Sequence, residues 1–379
     1  LKEVGEMEAI KNKVMISIFL IFIFGLSIAN VVDKDREISE TENRPLQQFP
    51  QFSFESLLSG SYTQKFDKYM TDQFVMKDEW VGLKSDMERL LQKGENNGVY
   101  FGKDGYLLEA FKQEGSYFEK NLQAINIFHD KMPNLNTTAL LVPTAVKIYE
   151  DKLPLFAPTF DQARMLETAK NELTIDFIDA YNVLNEHRNE YIYYKTDHHW
   201  TTLGAYYVYQ QLMNEWGMTP YLDYRVETVS TEFYGTYYSK ANNHHLKPDA
   251  IQLYIPNDEV EFSVTWDAQN EALDGLYNYD YLNQKDKYSM FINGNHPLTI
   301  VKSSMKNGKK LIVFKDSYAH NFVPFLAMNF EEIHLIDLRY FNMNPYEYIR
   351  EHDFDRALFL YNLSTFGTDS TFVKLKAFK

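Results

Sequence analysis

KLIVFKDSYAH, residues 310–320, sets four apolar residues in an unbroken row and then turns polar at Lys315, Asp316 and Ser317. So short a run, with β-branched Ile312 and Val313 at its centre, reads as a strand buried on both faces, the pattern of a parallel sheet. Four other runs match it: TALLV (138–142), IDFID (175–179), EIHLI (332–336) and ALFLY (357–361). Between them, apolar residues recur at i, i+3 and i+4 over 119–131, 161–173, 201–216 and 346–352. Strands alternating with helices predict an α/β fold with a mainly parallel central sheet covered on both faces.

In such a sheet the loops leaving the carboxyl ends of the strands gather along one crevice, where ligands bind. KDSYAH follows 310–314, DLRYFN follows 332–336 and YNLSTF closes 357–361, so Ser317, Arg339 and Asn362 are expected along that crevice. A second titratable stretch, YIYYKTDHHW (191–200), turns directly ahead of helix 201–216, with Thr201 available as its cap. A nucleophilic serine needs a base within hydrogen-bond reach, and that base needs an acid to fix its tautomer and stabilise its charge. Asp197, His199 and Ser317 could provide the set. Asp197 and His199 can face one side of a turn, whereas His198 points elsewhere, as a structural histidine, a rim contact or a replacement base. Trp200 reads as packing. Imidazoles and a carboxylate are also ordinary zinc ligands, and His244 and His245 could complete a metal site. Ser317 and Asp316 could instead cap a short helix ahead of Pro324, and Arg339 could anchor its loop through a carboxylate or touch substrate.

The chain has 379 residues, 45% hydrophobic and 16% aromatic, enough to bury a large core. Its 38 Lys plus Arg against 53 Asp plus Glu give a charge of -15, which repels a nucleic-acid backbone; no basic patch offsets it, so no nucleic-acid partner is expected. The absence of cysteine excludes disulfides, thiolate metal sites and a cysteine nucleophile. VMISIFLIFIFGLSIANVV (14–32) is uncharged and close to the ~20 residues that cross a bilayer as a helix. Lys11 and Lys13 ahead of it favour a cytoplasmic segment 1–13, a membrane anchor at 14–32 and an extracytoplasmic remainder. Ser27 and Ala29 make a small-x-small site, so a cleaved signal is the alternative. Residues 33–50, polar and punctuated by Pro45 and Pro50, read as a linker leading to one domain over 51–379. Helical spacing over 54–91 predicts one or two amphipathic helices, NNGVYFGKDGYLLEA (96–110) a hairpin, and 225–294 a strand-rich insertion.

The order ENRPL, DQF, VYFGKDGYLL, VPT, TDHHWTTLGA, GNHP, KDSYAHNFVPFL, IDLRY and LYNLSTF spans most of the chain. Taken together it resembles the DHHW protein family and, beyond it, the circularly permuted SGNH hydrolases of the alginate-type polysaccharide O-acetyltransferases. That resemblance implies a three-layer α/β/α domain outside the membrane, with the acid and base at Asp197 and His199, the nucleophile at Ser317 and an oxyanion-hole asparagine at Asn362. The glycine block usual in SGNH enzymes is missing after 332–336, where Arg339 and Tyr340 stand. The activity implied is acyl transfer to hydroxyls of a cell-surface or secreted polysaccharide, with no soluble cofactor and a multi-spanning membrane acyltransferase as donor. An esterase of the same fold and a non-catalytic carbohydrate-binding protein are the alternatives.

Overall fold

The computed structural model describes residues 2–378 apart from 40, 43, 244 and 268–271. They fall into two compact units, Leu1–Gln92 and Lys93–Lys379.

The second unit is built on an eight-stranded sheet. Its strands are β1 (Asn136–Val142), β2 (Asp176–Asp179), β3 (Phe262–Trp266), β4 (Leu273–Asp274), β5 (Leu298–Ser303), β6 (Lys310–Lys315), β7 (Glu332–Ile336) and β8 (Arg356–Asn362). Their spatial order is β4-β3-β5-β7-β6-β8-β1-β2. The five from β7 to β2 are parallel and carry the apolar runs found in the sequence. Leu311 to Phe314 and Leu358 to Leu360 are wholly buried, because helices close both faces of these strands. Side chains alternate between the two faces. On one, Phe314 stacks on Phe359 at 4.6 Å, and Phe128 of helix Phe118–Lys131 meets both rings edge-on. On the other, helix Thr202–Glu215 ends at Trp216, whose indole donates to Thr138 Oγ1 at 3.0 Å. This is the α/β/α layering expected, with the last strand of the chain in the middle of the five parallel ones.

The interruption expected over 225–294 has a different construction. Tyr224–Phe233 and Asp249–Pro256 do pair as a separate antiparallel ribbon, with helix Thr236–Ala241 between them. β3 and β4, however, continue the main sheet through β5, which pairs antiparallel with β7 on one side and β3 on the other. β5 escapes a sequence reading because its buried residues alternate with half-buried and exposed ones instead of forming an apolar run. The hairpin expected at 96–110 is present as Val99–Phe101 paired with Leu107–Glu109, extended by Glu95–Asn96.

In the first unit, helix Lys2–Val32 contains the apolar stretch Ile10–Val32, 23 residues long and apolar enough to cross a membrane or serve as a signal sequence. Three helices follow, Phe54–Leu58, Ser61–Asp72 and Lys77–Leu90, where one or two were expected. Left-handed residues make the breaks, Gly60 at φ 76° and Met76 at φ 54°. The glycine enters that region freely and the methionine does not, so periodicity alone could foresee neither stop. The folded part is pinned by Asp72, which accepts two bonds from Arg44 at 2.6 and 2.9 Å and one from Gln47 N–H at 2.9 Å. Arg44 belongs to ENRPL and Asp72 to TDQF, so two of the family-like motifs meet here.

Candidate active site

Ser317 follows β6 at its carboxyl end and Asn362 closes β8 beside it, so strand order brings these distant residues to one sheet edge. Asp316, buried between them, joins their loops. Its Oδ1 accepts from Tyr318 N–H at 2.9 Å, and its Oδ2 accepts from the Asn362 backbone at 2.9 Å and the Asn362 side chain at 2.6 Å. Burial pushes the Asp316 carboxyl up to about 6, against the pull of those donors.

The turn carrying Asp197 and His199 arrives from the other side. Thr201 caps helix Thr202–Glu215, accepting from Gly204 N–H at 3.3 Å. Trp200 is wholly buried, donates from its indole to Asn321 Oδ1 at 2.7 Å, and accepts at its carbonyl from the Asn321 amide at 3.0 Å. This packing locks the DHHW turn to the Ser317 segment. His199 Nδ1 lies 2.5 Å from Asp197 Oδ1 and its Nε2 lies 2.7 Å from Ser317 Oγ. An ionised carboxylate only accepts, so the proton belongs on Nδ1 and Nε2 presents its lone pair to the serine hydroxyl.

Four residues that the sequence reading passed over hold this arrangement, and all come from 235–288. Asp249 accepts from the backbones of Lys195 and Thr196 at 2.9 and 2.7 Å, fixing the turn just ahead of Asp197. Thr236 donates from backbone and hydroxyl to Asp197 Oδ2, at 2.8 and 3.2 Å. A Cβ on Gly235 would stand 2.3 Å from that same oxygen, so only glycine permits the approach. Tyr288 lies flat on the His199 ring, with centroids 3.7 Å apart and planes 11° apart, and its hydroxyl donates to the Ser317 carbonyl at 3.2 Å. None sits in a recognisable motif; the signal that marks Gly235 and Thr236 is at most a Gly-Thr turn between aromatic residues.

His198 does point away from Ser317. Its Nδ1 donates to Thr236 Oγ1 at 2.7 Å, it lies 3.5 Å from Asp197, and its ring packs on that of His199 at 3.7 Å. Burial alone would raise the Asp197 carboxyl, but the two imidazoles outweigh it and hold it well below the usual range. Burial pulls His198 down and Asp197 more than restores it, so His198 ends above its ordinary value. His199, buried and beside the His198 charge, falls to about 4 despite Asp197 and is neutral at pH 7.

Arg339 and Asn362 reach the crevice edge with their polar groups engaged. Arg339 donates to Asp337 at 2.8 and 2.6 Å, and the buried Lys315 ammonium lies 3.4 Å from that carboxylate and 2.8 Å from His320 Nε2. Asn362 caps helix Leu363–Thr368 through Oδ1, and its amide donates to Asp316 and, at 2.8 Å, to Thr365 Oγ1. Asn362, His198 and Tyr318 share the wall of a cleft of about 210 Å³ with Glu109, Thr144 and Lys240.

Asp197, His198 and His199 bring ligand-type atoms within 4.8 Å of one another. His199 spends Nδ1 on Asp197 and turns the Nε2 lone pair toward Ser317, so a metal on this residue would displace the serine hydroxyl. Of the residues considered as further ligands, His244 lies outside the described residues.

A model of the DHHW protein family matches residues 133–336, a span holding Asp197, His199 and Ser317 but not Asn362. Among solved structures, a DHHW family protein from Eubacterium siraeum superposes with a TM-score of 0.65 at 27% identity, over 75% of this chain and 96% of that one. PatB1 of Bacillus cereus superposes with a TM-score of 0.61 with a sulfonyl adduct, at 23% identity over 74% of this chain and 98% of that one. A second PatB1 structure gives 0.59, again at 23% identity, over 72% of this chain and 98% of that one. These likenesses agree with the fold described above. No curated protein matches the sequence.

Proposed function

Because the chain belongs to the DHHW protein family, we propose that it transfers acyl groups, acetyl above all, to hydroxyls of a cell-surface or secreted polysaccharide. The observation that carries this reading is the Ser317 hydroxyl 2.7 Å from an imidazole nitrogen whose partner nitrogen meets a buried carboxylate at 2.5 Å. His199 takes the Ser317 proton as Oγ bonds to the acyl carbonyl carbon, and Asp197 stabilises the imidazolium formed. The tetrahedral oxyanion collapses, the donor's oxygen leaves with the proton from His199, and an acyl-serine remains. A sugar hydroxyl then gives its proton to His199 and attacks the ester, restoring Ser317. Asn362 supplies an oxyanion donor when its amide releases Thr365, beside the Ser317 backbone N–H.

The acyl donor would come from a multi-spanning membrane acyltransferase, because one apolar helix cannot carry an activated acyl group across a bilayer. The catalytic unit would work outside the membrane, held there by the N-terminal helix. Exposing the protein to an activated acetyl ester and weighing it intact tests the chemistry. One acetyl adduct is expected, on Ser317, with none in Ser317→Ala; undiminished turnover in that variant refutes the assignment. Product analysis with a polysaccharide acceptor separates transfer from hydrolysis.

A further inference from the structure

The first unit is built with its polarity reversed. Among its described residues only Leu46 and Pro50 are buried apolar side chains, whereas Ser39, Asp72, Gln73, Lys77 and Ser85 are buried too. Helix Lys77–Leu90 concentrates this reversal. At ~100° per residue, Trp80, Leu83, Met87 and Leu90 fall within an arc of about 80°. All four are exposed, Leu83 and Met87 at 52% and Leu90 at 75%, while Gly82 and Ser85 on the opposite side are buried. A helix folding in water buries the apolar stripe and exposes the other face. Leu91 and Met76 extend the exposed stripe at 79% and 57%.

Hydrogen bonds within the unit say what covers it. Val75 N–H donates to Asn30 Oδ1 at 2.9 Å, tying the start of this helix to the last turn of the apolar helix. Arg36, four residues beyond Val32, pairs with Asp78 at 2.7 Å, and its backbone N–H and carbonyl both bond the Gln73 side-chain amide at 2.9 Å. Twenty-three residues from Ile10 to Val32 rise about 34 Å as a helix, against a hydrocarbon core of about 30 Å. Asn30 therefore marks the bilayer boundary, and Val75 with it. Tryptophan two turns or less from that depth suits the headgroup region.

We infer that the Trp80–Leu83–Met87–Leu90 stripe is seated in the interfacial layer of the bilayer crossed by Ile10–Val32. This rests on the anchor reading of the N-terminal helix, and the test separates the two. The chain has no cysteine, so single nitroxide labels can be placed cleanly at Leu83→Cys, Met87→Cys, Phe22→Cys and Glu259→Cys in the full-length protein in lipid nanodiscs. The ratio of oxygen collisions to collisions with a water-soluble nickel chelate is expected to be several-fold higher at 83 and 87 than at the surface site 259, and highest at 22. A water-like ratio at 83 and 87 with a lipid-like ratio at 22 overturns the inference alone. Shielding from both reagents at 83 and 87 also overturns it, since a second copy, another protein or another part of this chain then covers the stripe. A water-like ratio at 22 removes the anchor and the inference together.

Discussion

Two groups of buried ionisable residues flank Ser317, and they are wired differently. In one, Lys315, His320, Asp337 and the half-buried Arg339 bond to each other: a single carboxylate takes two bonds from Arg339 and faces the Lys315 ammonium, which also meets His320. In the other, Asp197 and His199 form a pair whose far nitrogen is spent on a hydroxyl. Burial perturbs proton affinity in both, taking Lys315 down to about 8 and His199 to about 4. A perturbed group in a buried cluster is therefore a poor guide to chemistry by itself. The discriminating feature is an imidazole lone pair aimed at an atom that can react.

The comparison breaks most visibly at Asp197. Asp197→Asn keeps the volume but loses the charge and inverts the preferred tautomer of His199, so turnover of an acetyl ester should fall by ~10³–10⁴. Its melting temperature should move far less than its rate. Asp337→Ala should do the reverse, because it strands two cations, one of them wholly buried, at a cost of about 3–5 kcal/mol in stability. Denaturant unfolding measures that loss, and turnover of the folded fraction should stay within about tenfold of the parent, since Asp337 touches none of the reacting atoms. A variant of Asp337 as inactive as Asp197→Asn and as stable as the parent would erase the distinction between the clusters.

Sequence makes legible what physics writes locally. Buried parallel strands have to be continuous apolar runs, so all five were readable, as was Thr201 at its cap. Asp197 and His199 stand one residue apart on a turn and Ser317 follows a readable strand, so their approach could be anticipated from strand order; their catalytic roles are the proposal made above. Asp249, Thr236, Gly235 and Tyr288 were illegible because they act across 29 or more residues of chain, as Gly235 N–H meeting Thr196 Oγ1 illustrates. Arg339 offered two readings in the sequence, a loop anchor or a substrate contact, and Asp337, two residues before it, takes the guanidinium. The first unit was hard to read for another reason. Its apolar stripe obeys the usual periodicity, and periodicity does not say whether protein or lipid will meet it.

The smallest effect sharpens the comparison furthest. His198 takes no bond from Ser317, yet its ring packs on His199 and it shares Asp197. The charged groups that act on it are Asp197, Glu109 and Asp316, all raising its proton affinity against burial. A charge resting on His198 disfavours a second one on His199, which burial and Lys315 lower as well. Only neutral His199 can accept the serine proton, so in the parent activity is held from neutral pH downward and is lost as pH falls through about 4. His198→Asn removes the neighbouring charge and leaves Asp197 to His199 alone, so the acid limb should move up toward the ordinary histidine value of ~6.5. Rate at pH 8 should change by less than about tenfold, because the base is neutral there in both proteins. A pH–rate profile of the two measures this directly. An acid limb that stays in place would mean that His198 is only a wall of the cleft.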